Sequence, residues 1–212
     1  LPPIAGLRLG THAAGIRYEK RADLFLAEMA EGTTVAGTFT QSLCPSAPVE
    51  WCRRILTEGD GTARAIVCNS GNANAFTGRA GDTSAALTAE LVGDALDIDP
   101  DRIYLASTGV IGETLPDDAL RDGLPALAEA LDTATAQTWA DAAFAIRTTD
   151  TFSKGASAEA KERGLLIEIN NGRLAMLGIM GFVSASKVPG SVPALDGLDG
   201  VVQVRVAPAS YS

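Results

Sequence analysis

The sequence contains few of the residues that usually build metal or nucleophilic centres. It has one histidine and three cysteines. The thiols of Cys44, Cys52 and Cys68 form no C-x-x-C pair that could join His12 in a metal site. We therefore expect no metal ion, and we interpret all three thiols as small buried groups in a protein of the reducing cytoplasm.

Basic charge is also scarce, and long apolar runs are missing. The formal net charge is -9, from 17 basic and 26 acidic residues. A nucleic-acid partner needs clustered Lys and Arg, and a membrane span needs about eighteen apolar residues in a row. Leu1 to Gly6 show no basic patch followed by an apolar stretch, as a secretory signal would. We expect a soluble cytoplasmic protein that binds neither nucleic acids nor membranes.

What the sequence does contain is enough apolar material for one packed domain. Hydrophobic residues make up 46% of the 212 residues. Apolar runs rich in β-branched residues predict strands at Thr33 to Thr40, Ala63 to Cys68 and Arg102 to Ser107. Helical spacing predicts three helices: from Asp82 to the Asp99-Pro100 break, after Pro116, and from about Thr135. This alternation indicates a layered α/β fold.

The last fifty residues have a different character. Leu165 to Ile169 and Arg173 to Leu177 flank Asn171-Gly172, a pair that favours the tight turn of a β-hairpin. Ser, Pro and Gly then dominate up to Gly200, where we expect a loop, and Val201 to Val206 alternates as a final strand.

Two polar segments follow predicted strands. Ser107 to Gly112 reads Ser-Thr-Gly-Val-Ile-Gly, and the Thr108 hydroxyl with the Gly109 amide could stabilise an oxyanion. A purely structural glycine turn explains the same residues. Asn69 to Asn74 is dense in Asn and Gly, which favours a rigid turn over a phosphate cradle, because the segment contains no basic residue.

A third polar segment ends the last predicted helix. Thr148 to Thr151 reads Thr-Thr-Asp-Thr and lies close to Lys154. These hydroxyl, carboxylate and ammonium groups could bind a zwitterionic amino acid. A solvated helix end with Asp150 in a turn accounts for the pattern equally well.

Together, in this order, the segments resemble the ornithine acetyltransferases. The resemblance covers about residues 1–179, leaving 180–212 as a divergent tail. It implies a layered α/β sandwich with mixed sheets and flanking helices. The residues that carry it are Gly37-Thr38-Phe39-Thr40, Cys44-Pro45-Ser46-Ala47-Pro48-Val49, Ala63 to Asn74, Ser107 to Glu113, and Thr148 to Thr151.

The resemblance also implies a chemistry. Such enzymes cut themselves before a threonine, which then takes the acetyl group from N-acetylornithine and passes it to glutamate in arginine biosynthesis, without an external cofactor. Thr108 and Gly109 match the family's oxyanion pair, and Thr148 matches a substrate-binding threonine. The present chain is then the α part of a hetero-oligomer, and a β chain beginning with Thr is expected as its partner.

Two departures from the family pattern stand out. After Gly178-Ile179 no segment matches the one that carries the nucleophile, and Arg147 stands where the family usually has Met. A non-catalytic homologue that keeps the fold and an amino-acid pocket is therefore the alternative function. A hydrolase using Ser184, Ser186 or Ser191 is disfavoured, because no Gly-x-Ser-x-Gly motif surrounds them and His12 is the single imidazole.

Overall fold

A computed structural model describes residues 3–155 and confirms the α/β class. The predicted hairpin at Asn171-Gly172, the loop, the final strand and the boundary at Ile179 lie outside these residues. The described part contains the strands β1 Leu7–His12, β2 Leu24–Met29, β3 Ala65–Asn72, β4 Ile103–Val110 and β5 Asp132–Thr133. Its α-helices are α1 Ala47–Glu58, α2 Gly78–Leu96, α3 Asp117–Glu129 and α4 Ala136–Ala145.

The strands form one mixed sheet in the order β4-β3-β2-β1-β5. β1 runs antiparallel to β2 and β5, and β2 runs antiparallel to β3. β3 and β4 are parallel, with α2 in the connection between them. Because parallel strands end at the same side of a sheet, the polar segments that follow Cys68 and Ala106 are brought side by side.

Helices cover both faces of the sheet. On the face that carries Gly10 and Leu24, α3 packs so closely that a Cβ atom at Gly10 would lie 3.0 Å from the Leu127 backbone oxygen. Leu120, Leu124 and Leu127 of α3 are fully buried there, as their spacing predicts. α4 contacts β1 and β2. The sheet thus lies within the layered arrangement expected from the resemblance.

Two of the predicted helices begin where their signals indicate. α3 follows Pro116, and α4 follows Thr135, whose side chain accepts a hydrogen bond from the Thr138 backbone in a capping box. α2 begins at Gly78, four residues before Asp82. Thr77 precedes it without a side-chain cap, which is why its start carries no clear sequence signal.

The structure overturns one predicted strand and shows elements that were not predicted. Thr33 to Thr40 is not a strand, because its one ladder contact among the described residues is an isolated bridge between Thr34 and Thr62. β1 and β2 were not predicted, since a sequence such as Leu-Phe-Leu-Ala-Glu-Met has good helix formers and becomes a strand only by pairing on both sides. α1 was also missed.

Candidate active site

Strands β3 and β4 both continue further than predicted. β4 extends through Val110, so Thr108 and Gly109 lie within a strand and not on a loop after it. β3 extends through Asn72, so the turn predicted for Asn69 to Asn74 is wrong for its first four residues. The reason is mutual pairing, because the two parallel strands hold each other extended up to the Asn72 and Val110 pair.

Gly109 occupies a position that admits no side chain. Its φ is +140°, and a Cβ atom there would lie 2.3 Å from the carbonyl carbon of Gly71 and 2.5 Å from the nitrogen of Asn72. Gly71 itself has φ +97° and pairs with Gly109 across the two strands. Glycine is therefore required at residue 109 for backbone packing, whatever else the residue does.

Within residues 3–155, α1 covers the first half of the outer side of β4. Trp51 Nε1 donates to the Ile103 oxygen at 2.9 Å, and the Cys52 thiol lies 3.2 Å from both the nitrogen and the oxygen of Leu105. Backbone groups alternate sides along a strand, so the N–H of Gly109 points the same way as that of Leu105. The Val110 oxygen correspondingly faces β3 and accepts from Ala73 at 2.8 Å. The Gly109 amide is thus directed away from the sheet, beyond the residues that α1 covers.

Thr108 projects from the face of the sheet on which α4 ends. Its register partner on β3 is Ser70, and partners in register share a face. The Ser70 hydroxyl is buried and donates a 2.6 Å hydrogen bond to the Ala145 oxygen at the end of α4. The Thr108 hydroxyl and the segment that begins with Arg147 therefore lie on the same side of the sheet.

Thr148 follows α4 by three residues. Its side chain is half-buried, whereas that of Thr149 is exposed. Asp150 forms an ion pair with Lys154, and hydrogen bonding to this ammonium group lowers the pKa of the Asp150 carboxyl below its usual value. The segment is a bend rather than a continuation of the helix, with one threonine partly enclosed.

The asparagines of β3 hold the strand ends in place. Asn69 accepts from the Ser107 hydroxyl at 2.6 Å and donates to the Asn72 oxygen at 2.8 Å. Asn72 donates to the Glu113 oxygen at 3.0 Å, and its own side-chain oxygen accepts from Asn74. The side chains of Asn69, Asn72 and Asn74 are buried and form hydrogen bonds with other groups of the protein. That agrees with a rigid scaffold at the strand ends.

The three thiols differ in exposure. Burial raises the pKa of Cys52 to about 11 and that of Cys68 to about 12. Cys44 is exposed, so the prediction of three buried thiols is wrong for this residue, which lies in the loop before α1. Among residues 3–155, no three His, Cys, Asp or Glu side chains are grouped to hold a metal ion. No helix in this part of the chain is both long and apolar enough to cross a membrane.

One cluster near Thr148 was not found from the sequence. The guanidinium carbon of Arg21 lies 4.3 Å from the Tyr18 ring centroid and 5.3 Å from that of Phe144. The guanidinium carbon of Arg147 lies 4.7 Å from the same Phe144 ring. Residues 18–21 and 144–147 are far apart in the sequence, and no local pattern indicates that they meet.

Comparison with known proteins identifies relatives of this chain. A sequence model of the ArgJ family matches residues 8–174. The arginine biosynthesis bifunctional proteins ArgJ of Bradyrhizobium diazoefficiens and Nitrobacter winogradskyi are 53% and 52% identical, each over 80% of this chain. The chain spans 40% of the length of each.

Two solved structures share the fold. One is ornithine acetyltransferase from Mycobacterium tuberculosis, complexed with ornithine. It is 37% identical with a TM-score of 0.65, and the match covers 70% of this chain and 78% of that one. The other is the ArgJ protein of Bacillus halodurans, 28% identical with a TM-score of 0.63 and coverage of 69% and 74%. Both agree with the mixed sheet and flanking helices described above.

Proposed function

Since this chain belongs to the ArgJ family, we propose that it is the α part of an acetyltransferase of arginine biosynthesis. The enzyme moves the acetyl group of N-acetylornithine to glutamate. A second chain, released by self-cleavage and beginning with Thr, supplies the nucleophile. The names of the similar proteins support the acetyltransferase and the pathway, and ornithine in the Mycobacterium tuberculosis structure supports the substrate class. Cytoplasmic location follows from this metabolic role.

The orientation of the Gly109 amide carries this proposal. When the threonine oxygen attacks the acetyl carbonyl carbon, the carbonyl oxygen becomes an oxyanion, and the Gly109 N–H with the Thr108 hydroxyl donates to it. The free amine of that threonine takes the hydroxyl proton and passes it to the ornithine nitrogen, so ornithine leaves as an amine and the acetyl group stays on the threonine as an ester. The glutamate amine then attacks this ester and releases the threonine. Because the Gly109 amide points away from β3, it can reach such a group without breaking the sheet.

Thr148 lies where it can contribute to the substrate pocket. It is half-buried and follows Ala145, whose oxygen is tied to Ser70 on the Thr108 face of the sheet. A hydroxyl at this place can hydrogen-bond an amino-acid substrate whose acetyl group lies near Thr108 and Gly109. We assign Thr148 this binding role.

Reconstitution tests the proposal. The 212-residue chain is co-expressed with the Thr-starting chain of the Bradyrhizobium diazoefficiens relative, and transfer of labelled acetyl from N-acetylornithine to glutamate is measured. We expect transfer by the complex and none when Ala replaces the first Thr of the partner. A stable complex without transfer would instead support the non-catalytic homologue. The similar proteins, which are named for arginine biosynthesis, do not favour that alternative.

A further inference from the structure

Two arginine side chains share one aromatic ring beside the candidate site. Arg21 and Arg147 place their guanidinium carbons 5.3 and 4.7 Å from the Phe144 ring centroid, so these carbons are at most about 10 Å apart. Two like charges at this separation repel each other where the surroundings are partly apolar. An anion near both guanidinium groups reduces this repulsion.

Both guanidinium groups are held in position. Arg21 also stacks on Tyr18 and lies 3.4 Å from the Phe144 backbone oxygen, and Arg147 donates to the Thr151 oxygen at 3.0 Å. A guanidinium has five N–H donors, so most of them remain for a ligand. The Nε of Arg21 is buried and makes no hydrogen bond within residues 3–155. Groups fixed in advance lose little conformational entropy when they bind.

Within the described range 3–155, no carboxylate forms an ion pair with Arg21 or Arg147. Other arginines there do pair, as Arg17 does with Glu113 at 3.0 Å. The charge of Arg147 contributes to lowering the pKa of Asp150. However, Asp150 forms its ion pair with Lys154, which is the larger cause of the lowered pKa. The guanidinium groups of Arg21 and Arg147 at the Phe144 ring therefore form a positive patch without an ion-pair partner in residues 3–155, in a chain whose overall charge is -9.

This positive patch adjoins the residues assigned to acetyl transfer. A Cβ atom at Gly71 would lie 3.3 Å from the Tyr18 ring, and Gly71 is the register partner of Gly109. Arg147 directly precedes Thr148 in the sequence. The patch therefore lies next to the strand ends that carry Gly71 and Gly109.

We propose that Arg21 and Arg147 form a binding site for the carboxylate of an amino-acid substrate, an inference that rests on the proposed function for the identity of the ligand. Arginine suits this role, because its planar donors match the two oxygens of a carboxylate.

Titration of the full 212-residue chain tests the site. The ligands are L-ornithine, L-glutamate and 1,4-diaminobutane, which is ornithine without its carboxylate. Affinity is measured by calorimetry at low ionic strength. We expect both amino acids to bind, and 1,4-diaminobutane to bind at least about fivefold more weakly than ornithine. Arg147→Met should weaken the binding of both amino acids by at least about fivefold, because a charge-assisted hydrogen bond is lost. Added salt should weaken binding further.

Arg53→Met is the matched control. Arg53 lies over the Phe39 ring at 5.8 Å and donates to the Thr40 oxygen at 2.9 Å, so it repeats the stacking and the backbone contact of Arg147 at another place. We expect it to bind amino acids like the wild type. Arginine Nε–H resonances of the unmutated chain provide a second measurement, which needs no folded variant. At least one of these resonances should change its chemical shift when ornithine is added, and none should change when 1,4-diaminobutane is added.

Three results overturn the inference: no amino-acid binding in the millimolar range, equal affinity of wild type and Arg147→Met, or the same loss in Arg53→Met. Its failure can be told apart from failure of the proposed function. If the assembled enzyme transfers acetyl groups with KM values unaffected by Arg147→Met, the carboxylate site is wrong and the function stands. If binding depends on Arg147 but the assembled complex transfers nothing, the function is wrong and the site stands.

Discussion

Gly109 on β4 lies directly opposite Gly71 on β3, so closely that one added carbon at Gly109 would meet the Gly71 carbonyl carbon at 2.3 Å. The contact is between backbones, and neither strand can yield without disturbing the ladder. The Gly109 amide is therefore best probed through its neighbours, because substitution of the glycine changes the fold as well as the site.

We expect Gly109→Ala to lower the free energy of unfolding by about 4 kcal/mol or more, the range of the largest single-substitution effects, because of the clash with the Gly71 backbone. Gly112→Ala is the control. Gly112 also has a positive φ, +83°, but nothing lies within 4 Å of a Cβ atom there, so a cost of about 1 to 3 kcal/mol from backbone strain is expected. Urea unfolding of both variants measures the difference. Equal losses would show that the close approach to Gly71 does not matter.

Substitution of Thr108 tests the proposed oxyanion contact without filling the gap between the strands. In the assembled enzyme we expect Thr108→Val to lower kcat about a hundredfold, with little change in KM, because the hydroxyl acts on the transition state. Thr108→Ser keeps the hydroxyl and should retain most of the activity. Steady-state assays with N-acetylornithine give both constants. A rise in KM with unchanged kcat would instead assign Thr108 to substrate binding.

Thr148 and Thr149 form a matched pair, since they are adjacent, chemically identical and differently exposed. We expect Thr148→Val to weaken ornithine binding about fivefold or more, because a polar group of the bound ornithine loses its hydrogen-bond partner. Thr149→Val should stay within about 0.5 kcal/mol of the wild type. Calorimetric titration of the assembled protein compares them. Equal affinities in all three proteins would remove Thr148 from the pocket.

The three thiols should react at different rates with a thiol reagent. The thiolate is the reactive form, and burial raises the pKa of Cys52 to about 11 and that of Cys68 to about 12, so both remain protonated at pH 8. Exposed Cys44 should therefore react first, one equivalent per native chain, and the other two only after denaturation. Absorbance with a disulfide reagent gives the count. Rapid reaction of Cys44→Ser would contradict the burial of the remaining pair.

Local sequence patterns predicted α2, α3 and α4, whereas α1 was missed. The Leu120, Leu124 and Leu127 stripe and the Thr135 cap each contain their own signal, because capping and amphipathic burial depend on residues a few positions apart. The ordered motifs around Thr108 and Thr148 likewise identified the family without any coordinates. These features needed only local sequence.

Tertiary structure alone decided where the strands end and which distant groups meet. β2 contains helix-forming residues and becomes a strand only between two partners, and Thr108 belongs to β4 because β3 extends alongside it. The meeting of Arg21 with Arg147 at Phe144 depends on the docking of α4, which Ser70 ties to β3 through Ala145. Strand pairing and these side-chain contacts join residues far apart in the chain. Their stabilising free energy therefore depends on the fold, and no local sequence pattern predicts them.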